Sequence, residues 1–175
     1  LKLIQETIGI EHLKFEEAWQ LNERHYGALT GLNKEEMKKK LGEEKIHEFR
    51  RSWSLKPENL DKNNVYHPLN IDKYKNIPKK NIPDSESLED TYSRVIPYFE
   101  SKILKLLKSH KNVLVAAHGN SIRTLCKYLF KISNKDISNL EIPTGNPLLI
   151  NFDKNLKIIK VKYLDETRAK KIIIY

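Results

Sequence analysis

Residues 113–129 constrain the fold more than any other stretch. Val113-Leu114-Val115-Ala116-Ala117 is an unbroken apolar run, followed at once by His118-Gly119-Asn120-Ser121 and then by Ile122, Leu125, Cys126 and Leu129 at helical spacing. Five residues is strand length, and the lack of polar alternation predicts burial on both faces, as in a parallel sheet. Strand, tight glycine-containing turn and helix in that order predict an α/β chain.

The remaining elements are predicted around this unit. Phe15–Asn22 reads as a short strand running into the loop Glu23-Arg24-His25-Tyr26-Gly27. Asn33 with Glu36 has capping-box spacing, and Met37 and Leu41 continue a helix that Gly42 closes. Ile46, Phe49 and Trp53 define a second helix over Glu43–Trp53 that carries Arg50-Arg51 at its end. Pro57, Pro68, Pro78 and Pro83 make residues 56–83 an irregular excursion. A long helix then starts near Asp84–Ser87, its stripe being Leu88, Tyr92, Val95, Ile96, Phe99, Ile103 and Leu107, with a kink at Pro97. Ser133 with Asp136 caps a short helix, Pro143–Pro147 is a turn, and Leu148–Phe152 with Leu156–Leu164 form a hairpin about Asp153–Asn155. The tail Asp165–Tyr175 ends in Ile172-Ile173-Ile174-Tyr175, an unusual place for apolar residues.

A chain of 175 residues predicts one globular domain over 1–175. The net charge of +9 invites a nucleic-acid partner, but the lysines are interleaved with glutamates, as in Lys34-Glu35-Glu36-Met37-Lys38, and no nucleic-acid-binding signature accompanies them. No nucleic acid is expected; a small, strongly anionic ligand makes better use of such a surface. Nor is a membrane expected, for no apolar run has the length of a span and Gln5-Glu6-Thr7 interrupt the place of a signal peptide's core. A single cysteine, Cys126, in an apolar pattern predicts the reducing cytoplasm.

His118 stands at the end of a predicted strand and before a helix N-terminus, where backbone N–H groups and the helix dipole favour an anion and Gly119 lets one approach the main chain. The tetrapeptide alone equally fits a hydrogen-bonded residue at a sheet edge. Glu23-Arg24-His25-Tyr26 gathers a carboxylate, a guanidinium, an imidazole and a phenol that can converge on one ligand: Glu23 to shuttle a hydroxyl proton, Arg24 to fork a carboxylate or phosphate. Lys34, Arg50 and Arg51 are further cations that an anion would stabilise if they face inward, and solvated helix ends otherwise. Ser121 lacks a nucleophile elbow, and metal-binding, P-loop and dinucleotide motifs are missing, so no metal is expected.

Taken together, Leu21–Leu29, Gly31–Lys34, Arg50-Arg51, Ala116–Ser121 and Ile142–Gly145 resemble the cofactor-dependent phosphoglycerate mutases of the histidine phosphatase superfamily. The resemblance implies an α/β fold with a mainly parallel central sheet flanked by helices. It also implies exchange of 3-phosphoglycerate and 2-phosphoglycerate in glycolysis, through a histidine phosphorylated by 2,3-bisphosphoglycerate, by a cytoplasmic homo-oligomer, dimer or tetramer. Glu23 would be the proton donor and acceptor, His118 would stabilise the phosphoryl group in flight, and Arg24, His25, Tyr26, Lys34, Arg50, Arg51, Gly119 and Asn120 would hold substrate. Family members begin with a strand ending in Arg-His-Gly that supplies the nucleophile, and no such triplet occurs here. The expectation is therefore a domain incomplete at its N-terminus and inactive alone. Alternatives are a bisphosphoglycerate synthase or phosphatase of the same family, or a pseudoenzyme that binds phospho-ligands without catalysis. Asn146 stands where the family pattern has an aliphatic residue.

Overall fold

A computed structural model describes residues 1–169, apart from the side chains of Lys34 and Lys40, so the predicted apolar end of the tail lies outside the described residues. Helix α1 (Lys2–Ile8) is closed by Gly9 in the left-handed conformation, φ 69°. Helix α2 (Lys34–Leu41) starts where Asn33 Oδ1 accepts the N–H groups of Glu35 and Glu36. Gly42 ends it, its N–H reaching Lys38 O, and opens α3 (Glu43–Arg51). Residues 56–83 form no longer element than a single 3₁₀ turn, at Pro68–Asn70, Asp72–Tyr74 and Lys79–Asn81.

Helix α4 (Leu88–Tyr98) has a full capping box: Ser87 Oγ accepts from Asp90 N, and Asp90 Oδ2 accepts from Ser87 N. Where a kink is expected at Pro97, the helix instead runs on into a π turn over Phe99–Ile103, where Leu104 N–H bonds back to Phe99 O. Helix α5 (Leu104–Lys108) continues the rod. Helix α6 (Gly119–Leu129) packs along α4 and separates two apolar clusters. Leu88, Cys126, Phe130, Ile132, Ile137 and Leu140 make one; Val95, Ile96, Phe99, Ile103 and Leu125 make the other. Burial of the Cys126 thiol pushes its pKa up to about 12, so it behaves as a small apolar side chain.

Strands β1 (Leu148–Phe152) and β2 (Ile158–Tyr163) pair antiparallel, Leu148 opposite Tyr163, and close over the first cluster. Asp153 Oδ1 accepts from Asn155 N and Lys157 N, which shapes the turn and delays β2 by two residues from the predicted start. Among the described residues this hairpin is the whole sheet.

Two predicted strands are corrected. Residues 15–22 hold a 3₁₀ turn at Trp19–Leu21, because Gln20 O is taken by Arg94 of α4 instead of by a neighbouring strand. Residues 113–117 belong to no ladder among the described residues. Val113 and Val115 pack against the second cluster, but Leu114 is 57% exposed and Ala116 is exposed as well. A strand is made by the hydrogen bonds of its neighbour, and no segment among the described residues lies alongside. Among them, too, no helix is long and apolar enough to cross a membrane.

Candidate active site

The loop 22–27 is held from two sides. Ser121 Oγ, in the first turn of α6, donates to Asn22 O at 2.7 Å. Opposite, Arg94 of α4 clasps the buried Glu86 carboxylate through Nε at 2.6 Å and Nη2 at 2.9 Å, while its Nη1 and Nη2 donate to Gln20 O and Glu23 O. Glu86 Oε2 also accepts His25 N, and Glu86 N donates to His25 O. A bidentate, nearly dry ion pair whose remaining lone pairs are filled is the strong form of this interaction. The turn can be tight because Gly27 has φ 54° and a Cβ there would stand 2.0 Å from Glu58 O.

The loop thereby presents Glu23 to the N-terminus of α6. Asn120 Nδ2 donates to Glu23 Oε1, and Asn120 N–H lies 3.5 Å from Oε2, where the helix dipole also favours the carboxylate. The same Nδ2 donates to Tyr26 OH at 2.9 Å. His118, largely exposed, places Nδ1 4.0 Å from Glu23 Oε2. Arg24 is 2% exposed, donates to Phe49 O and lies over the Tyr26 ring, 4.8 Å from its centroid, with Arg50 5.8 Å from the same ring. Burial lowers the Arg24 pKa, and its Nε and Nη1 have no hydrogen-bond partner among the described residues. Arg51 Nη1 donates to Leu140 O at 3.2 Å.

Arg123, which the sequence reading passed over, completes the cluster. It is 6% exposed, and its pKa is pushed down to about 10, first by burial and then by the charge of Arg51, with Arg24 acting the same way. A cleft of about 230 Å³ opens beside it, lined by Arg51, Gly119, Arg123, Glu141, Pro143 and Arg168. A virtual Cβ on Gly119 meets nothing within 4 Å, so the main chain there is approachable. Crowded, partly desolvated guanidiniums with unused N–H groups are a site for an anion. A larger depression of about 610 Å³ between Trp19, Arg94 and Tyr98 contains none of the predicted site residues.

The structure thus brings together Glu23, Arg24, Tyr26, Arg50, Arg51, His118, Gly119 and Asn120. His25 goes elsewhere: its Nδ1 accepts Gly27 N at 3.0 Å and its ring lies 5.9 Å from that of His67, on the side of Glu86. The Lys34 side chain lies outside the described residues. Asn146 is a bracket, its amide spanning Asp165 N and O at 3.0 and 2.7 Å. Arg123 could have been found from spacing, being three residues after Asn120 and so on the same helix face. Glu86 precedes its helix and had no such signal.

Residues 58–163 match the family model described as Histidine phosphatase superfamily (branch 1), more than half of the chain. The chain is 61% identical over 175 residues, all of its own length and 73% of the relative's, to a 2,3-bisphosphoglycerate-dependent phosphoglycerate mutase of Pelagibacter ubique. To a protein of the same name from Borreliella burgdorferi it is 46% identical over 172 residues, 98% of this chain and 69% of that one. The chain belongs to the 2,3-bisphosphoglycerate-dependent phosphoglycerate mutase family of the histidine phosphatase superfamily.

Proposed function

We propose that the chain carries the acid–base and substrate-holding part of a glycolytic phosphoglycerate mutase, an isomerase that interconverts 3-phosphoglycerate and 2-phosphoglycerate. The observation that carries this reading is the Glu23 carboxylate, held by the Asn120 amide beside His118, with the charges of Arg24 and Arg123 acting on it. In a charge-crowded site, a carboxylate held firmly at Oε1 and only at long range at Oε2 can take and return the proton of a substrate hydroxyl through Oε2. His118, exposed at the N-terminus of α6, donates to phosphoryl oxygens as charge shifts among them. Arg24, Tyr26, Arg50, Arg51 and Asn120, together with Lys34, hold the carboxylate and phosphate. Positioning and charge neutralisation of this kind supply most of the catalysis in phosphoryl transfer.

The residues suit 2,3-bisphosphoglycerate: the buried Nε and Nη1 of Arg24, without a hydrogen-bond partner among the described residues, are relieved by a polyanion. When bound, that group supplies the phosphoryl group that primes the cycle. The reading requires a phosphorylatable histidine outside residues 1–175, a parallel sheet in which residues 113–117 take part, and a cytoplasmic homo-oligomer, so these 175 residues alone are expected not to turn over.

The test is product analysis by phosphorus NMR on the natural polypeptide with its upstream sequence. Incubated with 3-phosphoglycerate and a trace of 2,3-bisphosphoglycerate, it is expected to yield 2-phosphoglycerate. Net build-up of bisphosphoglycerate or of free phosphate would favour a synthase or phosphatase, and binding without turnover a pseudoenzyme. In the same assay Glu23→Gln is expected to lower kcat by roughly 10²–10⁴-fold. An unchanged kcat removes Glu23 from the acid–base role.

A further inference from the structure

We infer that Arg123 is a positioning residue for the acid–base group: it fixes which way the Asn120 amide faces and so aims a donor at Glu23. This rests on the role given to Glu23 above. An asparagine amide can be flipped end for end at little steric cost, so its orientation is set by its partners. A guanidinium only donates and a carboxylate only accepts. Arg123 Nη1 donates to Asn120 Oδ1 at 2.7 Å, which leaves Nδ2 to face Glu23 Oε1 and Tyr26 OH. The flipped amide would set Nδ2 against the guanidinium and Oδ1 against the carboxylate, two repulsive contacts in a site where Asn120 is 6% exposed.

Arg123 is itself immobilised. Its Nε donates to Leu140 O at 3.0 Å, the carbonyl that also accepts Arg51 Nη1. Among the described residues it shares no ion pair with a carboxylate, although it is as buried as Asn120. An apolar side chain of the same size would fill this place with less desolvation cost. What only a planar, multiply donating cation supplies is the simultaneous grip on a backbone carbonyl and on the amide oxygen.

The test uses the natural polypeptide with its upstream sequence, carrying Arg123→Met, which keeps length and removes donors, and Arg123→Lys, which keeps charge and one donor point. The Asn120 side-chain amide is followed by nitrogen-15 NMR, and kcat and KM are measured across pH. Arg123→Met is expected to shift or broaden the Asn120 amide resonance and to lower kcat by about ten- to a hundredfold, the worth of a hydrogen bond that orients a charged group, with little change in KM. The acid limb of the kcat profile is expected to move upward, and Arg123→Lys to recover part of kcat. Adding Asn120→Ala to Arg123→Met is expected to cost little more in kcat, because both act on Glu23 through one amide, while any added rise in KM reports Asn120's own hold on substrate. Independent, multiplicative losses overturn the inference, as does a KM rise with unchanged kcat and an undisturbed Asn120 resonance, which would make Arg123 a direct ligand contact. Should Arg123→Met fail to fold, the same amide resonance and kcat in Arg123→Lys decide: values equal to wild type overturn it. If the unsubstituted polypeptide turns over no phosphoglycerate yet the Asn120 resonance moves in the variant, the catalytic reading of Glu23 falls while the positioning stands.

Discussion

His25 shows how a motif residue can serve the site without facing it. Its Nδ1 closes the loop on Gly27 N, and its Nε2 is buried with no partner among the described residues. Burial lowers its pKa below the ordinary 6.5, opposed by the charges of Glu86 and Asp84 and assisted by His67. The unfolded chain therefore binds this proton more readily than the folded one, so the stability tied to His25 is complete above pH 6.5 and declines as pH falls toward the lowered folded value. Urea midpoints measured from about pH 5 to 8 are expected to fall on the acid side, and to fall less in His25→Asn, whose Oδ1 can replace the Nδ1 acceptor without titrating. Equal slopes in both proteins would remove His25 as the source. At this scale the sequence showed which side chains could converge, since Glu23, Arg24, Tyr26, His118 and Asn120 do meet. It did not show that His25 turns away, because neighbours in a loop have no fixed angular relation of the kind a helix imposes.

Among the elements, α4 carries the greatest burden. Its stripe packs on α6, its capping box fixes where it begins, and Arg94 on its flank holds the loop that carries Glu23 through Glu86. Because Glu86 lies one residue before the N-cap Ser87, a frayed first turn would loosen that loop as well. Ser87→Ala is expected to destabilise the protein by about 1 kcal/mol, read as a lower urea midpoint with unchanged slope. No shift in the midpoint would mean the cap is redundant with tertiary packing. Helical elements were readable from the chain because a stripe at 3.6-residue spacing and a cap are local features; the stripe from Leu88 to Ile103 supplies five of the eleven buried residues of the two clusters. Pro97 announced a disturbance of the helix, and whether a kink or a π turn would result depended on the packing of Phe99 and Ile103.

At the scale of the whole molecule, residues 113–117 are packed on one side only. One face rests on the α4–α6 core while the backbone joins no ladder among the described residues and Leu114 stands in solvent. In hydrogen exchange, the amides of 113–117 are expected to exchange rapidly in the 175-residue chain and to be protected in a polypeptide that also carries an N-terminal strand of the family, which can pair with them. Equal exchange in both would rule out that pairing. By itself the sequence determined α2 to α6, the hairpin and the set of charged residues from which a site could be built, because periodicity, caps and turn chemistry act over a few residues. Only the tertiary structure decided which cations share a cleft, that Glu86 and Arg94 brace the loop, and that Arg123 faces Asn120, since these are encounters between side chains distant along the chain or choices of rotamer that burial alone resolves.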